Sequence, residues 1–312
     1  MEFKNTNRIG VALKIAIVFL AVGYIAWRLL SKQHIDFSLD QIGIGIGNHL
    51  FIFFAVVLLM PLNWFLEALK WKLIASTKIK ISMKEAIQGV LAGVTIGTAT
   101  PNRVGEFAGR IFMLKEGNRV ELLLLSFISS FCQVFVTIVF GIFGFLMLGH
   151  EHLLFLRMTF YFLFLGGIVF CAIPLWIRFL PVNWKKKLSV LLNFSRKELL
   201  KALFISGIRY MIYACQFLLL IYIFVNPQIW HFRIFLSLIM ISYFIVTIIP
   251  TFSFTEVFVR GTVAGAVFNA CDDMIFSIGF TVAVLLWTIN VAIPSLIGTF
   301  FVFQLKFFKT KK

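Results

Sequence analysis

The stretch 98-TATPNRVGEFAGR-110 decides how the rest of the chain is read. It gathers Pro101, Arg103, Gly105, Glu106, Gly109 and Arg110 between segments that are almost wholly apolar. The apolar run before it, residues 85 to 99, is too short to cross a hydrocarbon core, which takes about 20 helical residues. Such a run, ending in a proline, glycines and charges, fits a segment that enters a membrane part-way, turns and leaves by the side it entered. Irregular backbone at depth is tolerated where protein or a wet cavity satisfies it. A charged side chain at depth costs about 2.5 to 3.5 kcal/mol on insertion scales, so these residues call for a reason beyond topology.

The composition agrees with a membrane setting. Of 312 residues, 61% are hydrophobic and 13% charged, against roughly 25% charged in a soluble domain, and the mean hydropathy is +0.98. No polar stretch is long enough for a sizeable soluble domain. The formal charge of +16, from 29 Lys+Arg against 13 Asp+Glu, would suggest nucleic acid in a soluble protein. Here the basic residues crowd into 70–84, 103–119, 178–201 and 306–312 beside apolar runs, as cytoplasmic loops do. Cys132, Cys171, Cys215 and Cys271 lie in apolar surroundings without ligand spacing and read as small buried hydrophobes. Lys4 and Arg8 precede an apolar run that reaches about Leu30 without a small-residue cleavage site, which reads as an uncleaved anchor.

Apolar spans fall at about 10–30, 49–68, 121–148, 153–180, 202–225 and 274–303. Residues 85–120 and 232–270 fit no simple crossing. Placing every basic loop and both termini in the cytoplasm makes the first of these a hairpin entered from inside and the second a hairpin entered from outside. The outer loops then hold His150, Glu151, His152, Asp272 and Asp273. His-x-His supplies too few ligands for a metal site, so neither a metal nor a cofactor is expected.

The second odd region repeats the first. In 250-PTFSFTEVFVRG-261, Pro250 leads to Glu256 and Arg260, as Pro101 leads to Glu106 and Arg110. In both, glutamate precedes arginine by four residues, which stacks the two side chains on one helix face. Matched, proline-broken elements entering from opposite sides are the signature of inverted-topology transporters, whose site lies between the repeats. The expected fold is therefore an all-α polytopic membrane protein, with about six spanning helices plus two re-entrant helical hairpins in an inverted-repeat arrangement. One transmembrane domain, 1–312, would hold a first repeat at about 49–148 and a second at about 202–303.

Two roles suit the repeated pairs. Each Glu/Arg pair can neutralise itself and pin its hairpin. Alternatively, Arg110 and Arg260 take a lipid phosphate, helped by half-helix N-termini, while Glu106 and Glu256 hold them in place. Pro101, Gly105 and Pro250 shape the hairpins, and Arg103 joins the substrate-binding set. Ser126, Ser129, Ser130, Gln133 and Thr137 form a polar stripe on one helix face. That stripe, through Ser130 and Gln133, either lines a headgroup path or serves helix packing. Arg209 either faces the cavity or snorkels to the interface. Asn63, Trp64, Glu67, Lys70 and Trp71, at the end of their apolar run, read as interfacial anchors.

The Pro-x-x-x-Gly-Glu-x-x-x-Arg hairpin of Pro101, Gly105, Glu106 and Arg110, echoed by Pro250, Glu256 and Arg260, resembles the lysylphosphatidylglycerol synthase transmembrane, or flippase-like, family. Bifunctional members join this module to a soluble aminoacyl transferase and move the modified lipid outward; this chain carries no such transferase between its spans. The resemblance implies a bacterial inner-membrane protein that binds and translocates a phospholipid or polyprenyl-linked lipid, without covalent chemistry. A non-transporting scaffold for a lipid- or glycan-modifying enzyme is the alternative. An intramembrane transferase using Glu106 or Glu256 as base is a third, for which no nucleophile or metal cluster is evident. Nucleic acid is not an expected partner.

Overall fold

The computed structural model describes residues 39–114, 117–148, 194–225, 231–249, 251, 255–269 and 275–303. The expected spans at about 10–30 and 153–180, Pro250, and the outer-loop residues His150, Glu151, His152, Asp272 and Asp273 lie outside the described residues. Every described element is helical. After a short α1 (Leu39–Asn48) come α2 (Leu50–Ala75), α3 (Met83–Thr98), α4 (Gly105–Phe112) and α5 (Arg119–Leu148). There follow α6 (Arg196–Phe224), α7 (Phe232–Ile248), α8 (Glu256–Asn269), α9 (Phe276–Trp287) and α10 (Ile293–Val302), the last two joined by a π-helical turn at Thr288–Ala292. The order long, short, short, long occurs in each half.

Among the described residues, four helical stretches, Leu50–Ala75, Arg119–Leu148, Arg196–Phe224 and Phe276–Val302, are long and apolar enough to cross a membrane. Large apolar side chains such as Phe51, Leu58, Phe143, Leu146, Phe204 and Phe300 stand exposed on them. In water such a surface would be an aggregation hazard; in hydrocarbon it is the expected exterior. α2 continues to Ala75, beyond the expected end near residue 68. Asn63, Glu67 and Lys70 in its last turns are buried inside the protein rather than exposed.

α3 and α4 form an antiparallel helical hairpin around the opening stretch. Ser82 starts α3 with a capping box: its hydroxyl accepts the Glu85 N–H, and the Glu85 carboxylate accepts the Ser82 N–H. The legs touch along glycines. A Cβ at Gly93 would lie 2.7 Å from the Glu106 carbonyl oxygen, and one at Gly105 would lie 2.5 Å from that of Ile96. The backbones are thus close enough that no side chain fits between them, the contact that small residues permit between membrane helices. Gly93→Val is expected to spread the legs and destabilise the protein by at least the roughly 1–3 kcal/mol typical of overpacking. Thermal unfolding in detergent, with Gly43→Val as the control because nothing lies within 4 Å of its would-be Cβ, measures this; equal stability of the two variants would refute the tight seam.

The second half builds its counterpart differently. α8 packs against α7, where Phe235 and Phe268 meet at 6.0 Å, and also against α9, where Cβ atoms at Gly261 and Gly265 would run into Phe280 and Phe276. Across the halves, α5 lies along α7, with Gly141 against Phe244 and Gly144 against Met240. Reciprocally, α10 lies along α3, where the Thr95 hydroxyl donates to the Ser295 carbonyl at 2.6 Å. α2 and α6 pack together between them. Each half's final helix therefore clasps the first hairpin leg of the other half. One polar network ties the middle: Gln216 donates to the Val56 carbonyl, Asn290 donates to Gln216, and Trp64 donates to the Asn290 carbonyl.

Candidate functional site

The tips of the two hairpin regions meet. After α3 the chain passes through a turn of 3-10 helix, Pro101–Arg103, in which Asn102 and Arg103 have φ of 51° and 55°. Left-handed backbone is common for Asn but unfavourable for a long side chain such as Arg. The strain is held by local bonds, with the Thr100 hydroxyl accepting the Gly105 N–H at 2.8 Å, and by a bond across the molecule. The Asn102 N–H donates to the Thr251 carbonyl at 2.8 Å. Backbone groups freed by each helix break are thereby used to join the breaks, as a low-dielectric interior requires.

Side chains reinforce the junction. Arg103 Nε lies 2.6 Å from Glu106 Oε1, and Arg103 Nη1 lies 3.5 Å from Glu256 Oε1. Glu256 in turn receives Arg260 Nε and Nη2, both at 2.9 Å. Arg103 thus bridges the two glutamates of the repeated motif. Glu256 is only 2% exposed, and its Oε2 makes no hydrogen bond among the described residues; Arg103 Nη2 is likewise without one.

A cavity of about 460 Å³ opens at this junction. Arg103, Glu106, Ser130, Gln133, Glu256 and Arg260 supply its polar wall, and Phe107, Val134, Val246 and Ile248 its apolar one. Tyr243 forms part of the lining and stacks on Tyr213 at 4.4 Å, which stiffens that side. Volumes of about 300–1,000 Å³ suit small molecules, so the cavity has room for a small polar group.

Behind Gln133 lies a second cluster, built from residues whose place at the end of an apolar run suggests interfacial anchors. Asn63, Glu67, Lys70 and Trp71 are all buried, Lys70 completely. Glu67 holds three cations: Lys70 Nζ at 2.9 Å, Arg110 Nη2 at 2.8 Å, and Arg209 Nη1. Arg209 also donates to Asn63 and, at 3.0 Å, to the Gln133 side-chain carbonyl. The guanidinium groups of Arg110 and Arg209 lie over the rings of Trp71 and Trp64, 6.0 and 5.8 Å from the centroids, within cation–π range. The anchoring role is therefore corrected: a carboxylate buried among three cations needs no interface. Spacing carries the signal, since positions 63, 67, 70, 71 and 74 share one helical face.

The residues assigned to substrate from the sequence divide accordingly. Arg103, Glu106, Glu256, Arg260, Ser130 and Gln133 come together at the cavity. Arg110 does not reach its wall; it is 3% exposed, reaches Glu106 only at 3.4 Å, and is directed to Glu67 and the Ser129 hydroxyl. Arg209 touches the cavity only through Gln133. The polar stripe of α5 serves both zones, with Ser130, Gln133 and Thr137 at the cavity and Ser129 at Arg110. Among the described residues no group of His, Cys, Asp and Glu could hold a metal.

Comparison with curated proteins and with solved structures gave no significant match. The family described as the lysylphosphatidylglycerol synthase TM region matches residues 9–308, which includes both hairpin motifs, the polar stripe and the Glu67 cluster. On that match, covering nearly the whole chain, this membrane protein belongs to the lysylphosphatidylglycerol synthase transmembrane-region family.

Proposed function

We propose that this protein binds a phosphate-bearing lipid headgroup in the cavity at the hairpin junction and carries it across a bacterial inner membrane. The observation that carries the proposal is the meeting of the two tips, Asn102 to Thr251 and Arg103 to Glu256, at a cavity faced by Arg103 and Arg260. In this reading the helix-break regions are re-entrant, the halves 49–148 and 202–303 form an inverted repeat, and the junction lies near mid-membrane. Arginine guanidinium groups match phosphate geometry with paired N–H donors. Carboxylates already paired to them orient them and can be partly displaced by the stronger phosphate acceptor. The apolar wall leaves the acyl or polyprenyl chains to the surrounding hydrocarbon. No covalent step is involved, and a separate lipid- or glycan-modifying enzyme would supply or consume the lipid.

Arg260→Gln keeps a hydrogen-bonding side chain beside Glu256 while removing the cation. The expected result is loss of most headgroup transport in proteoliposomes, with the variant still folded by detergent thermal unfolding. Transport equal to wild type by a well-folded Arg260→Gln protein would reject the phosphate assignment. It would leave ion-pair pinning of the hairpins as the account of the repeated motif.

A further inference from the structure

The ion pairs of the two zones join into one chain. Lys70 and Arg209 meet Glu67, Glu67 meets Arg110, Arg110 meets Glu106, Glu106 meets Arg103, Arg103 meets Glu256, and Glu256 meets Arg260. Among the described residues, four arginines and one lysine are thus linked through three glutamates, an excess of two positive charges in a largely buried network. Arginine keeps its proton in any protein environment, so even without Lys70 the carboxylates are outnumbered. A charge excess removed from water is costly unless something of opposite sign enters with it.

We infer that the headgroup this cavity takes is a phosphate monoester dianion, the terminal phosphate of a lipid, in preference to a phosphodiester, a zwitterionic or a cationic headgroup. This rests on the lipid-phosphate reading above and narrows it. A dianion balances the excess of two charges; a diester anion balances half of it, a zwitterion none, and a headgroup with a net positive charge adds to it. Arg103 and Arg260 both line the cavity and both are paired to Glu256, which makes Glu256 a positioning residue for the two guanidinium groups that would meet the phosphate.

The test is lipid competition on the full-length protein in detergent, read by native mass spectrometry with short-chain phosphatidic acid, phosphatidylglycerol and phosphatidylcholine, and with inorganic phosphate as the soluble probe. At about pH 7, phosphatidic acid is expected to bind about ten-fold or more tighter than phosphatidylglycerol, and phosphatidylcholine weakest, because the monoester is then mostly dianionic. Lowering the pH to about 5.5 should shrink that preference, since a phosphate monoester gains a proton near pH 6. The charged and titratable groups of the site and of the network behind it are Glu67 and Lys70 on α2, Arg103, Glu106 and Arg110 of the first hairpin, Arg209 and Tyr213 on α6, Tyr243 on α7, and Glu256 and Arg260 on α8.

Equal binding of phosphatidic acid and phosphatidylglycerol, or a preference unchanged by pH, overturns the inference and leaves the lipid-phosphate reading standing. Failure of every lipid to bind overturns both. Inorganic phosphate binding as tightly as phosphatidic acid supports the monoester chemistry and assigns it to a soluble ion, against the lipid reading. Lys70→Met removes one charge at a residue that does not line the cavity, and should lower the monoester preference several-fold. A folded Lys70→Met protein with undiminished preference contradicts the charge-balance explanation. If that variant does not fold, the wild-type lipid ratios and their pH dependence still decide.

Discussion

Glu67→Ala is expected to cost about 3–5 kcal/mol of stability, the loss seen when one partner of a buried ion cluster is removed. The side chain it deletes is buried and is the shared counter-ion of Lys70, Arg110 and Arg209. Without it, three cations from α2, α4 and α6 face one another in a site with little water. Glu85→Ala is the natural control, because Glu85 sits at an exposed capping box whose loss costs nearer 1 kcal/mol. Thermal unfolding in detergent distinguishes the two. A double variant, Glu67→Ala with Arg209→Met, should recover part of the loss, since it removes one stranded charge as well as its partner. Equal stability of Glu67→Ala and Glu85→Ala would mean that the cluster contributes nothing.

The second large effect is expected at the junction. With Cys132, Cys171, Cys215 and Cys271 replaced, Asn102→Cys with Thr251→Cys places two thiols on backbones joined by a 2.8 Å hydrogen bond. If lipid passage requires the tips to part, oxidation of that pair should reduce transport to the level of protein-free liposomes, and reductant should restore it. Each single variant should remain active under oxidant. Undiminished transport by the cross-linked form would show that the junction never opens, and would direct attention to a path around the hairpins instead.

How far the architecture could be read from the sequence depended on the range of the forces involved. The first hairpin was legible because its determinants are local: a short apolar run, Pro101 and closely spaced glycines. The two four-residue Glu/Arg spacings were also legible, and both pairs lie within 3.5 Å in the structure. The preferred partner of Arg110 was not, because Glu67 at 2.8 Å comes from another helix. Helical spacing reports neighbours on one helix and nothing about the helix opposite. Glu67 and Lys70 were misread for the same reason: at the end of an apolar run, a charge that will be paired internally looks like one that will meet water. The place of Arg103 at the centre of the junction depends on a left-handed backbone set by the tip as a whole, and the four-residue pattern passes over it.

The bond between the tips also bears on how the protein is made. Arg103 and the Glu256 that it meets are 153 residues apart in the chain. At roughly 5–20 residues per second of synthesis, the first hairpin waits roughly 8 to 30 s before its counterpart exists. During that interval the Asn102 amide and the Arg103 guanidinium lack the partners they meet in the second half. The junction can form only once translation has delivered residue 256, so the tip of the first hairpin is completed by the late half of the chain.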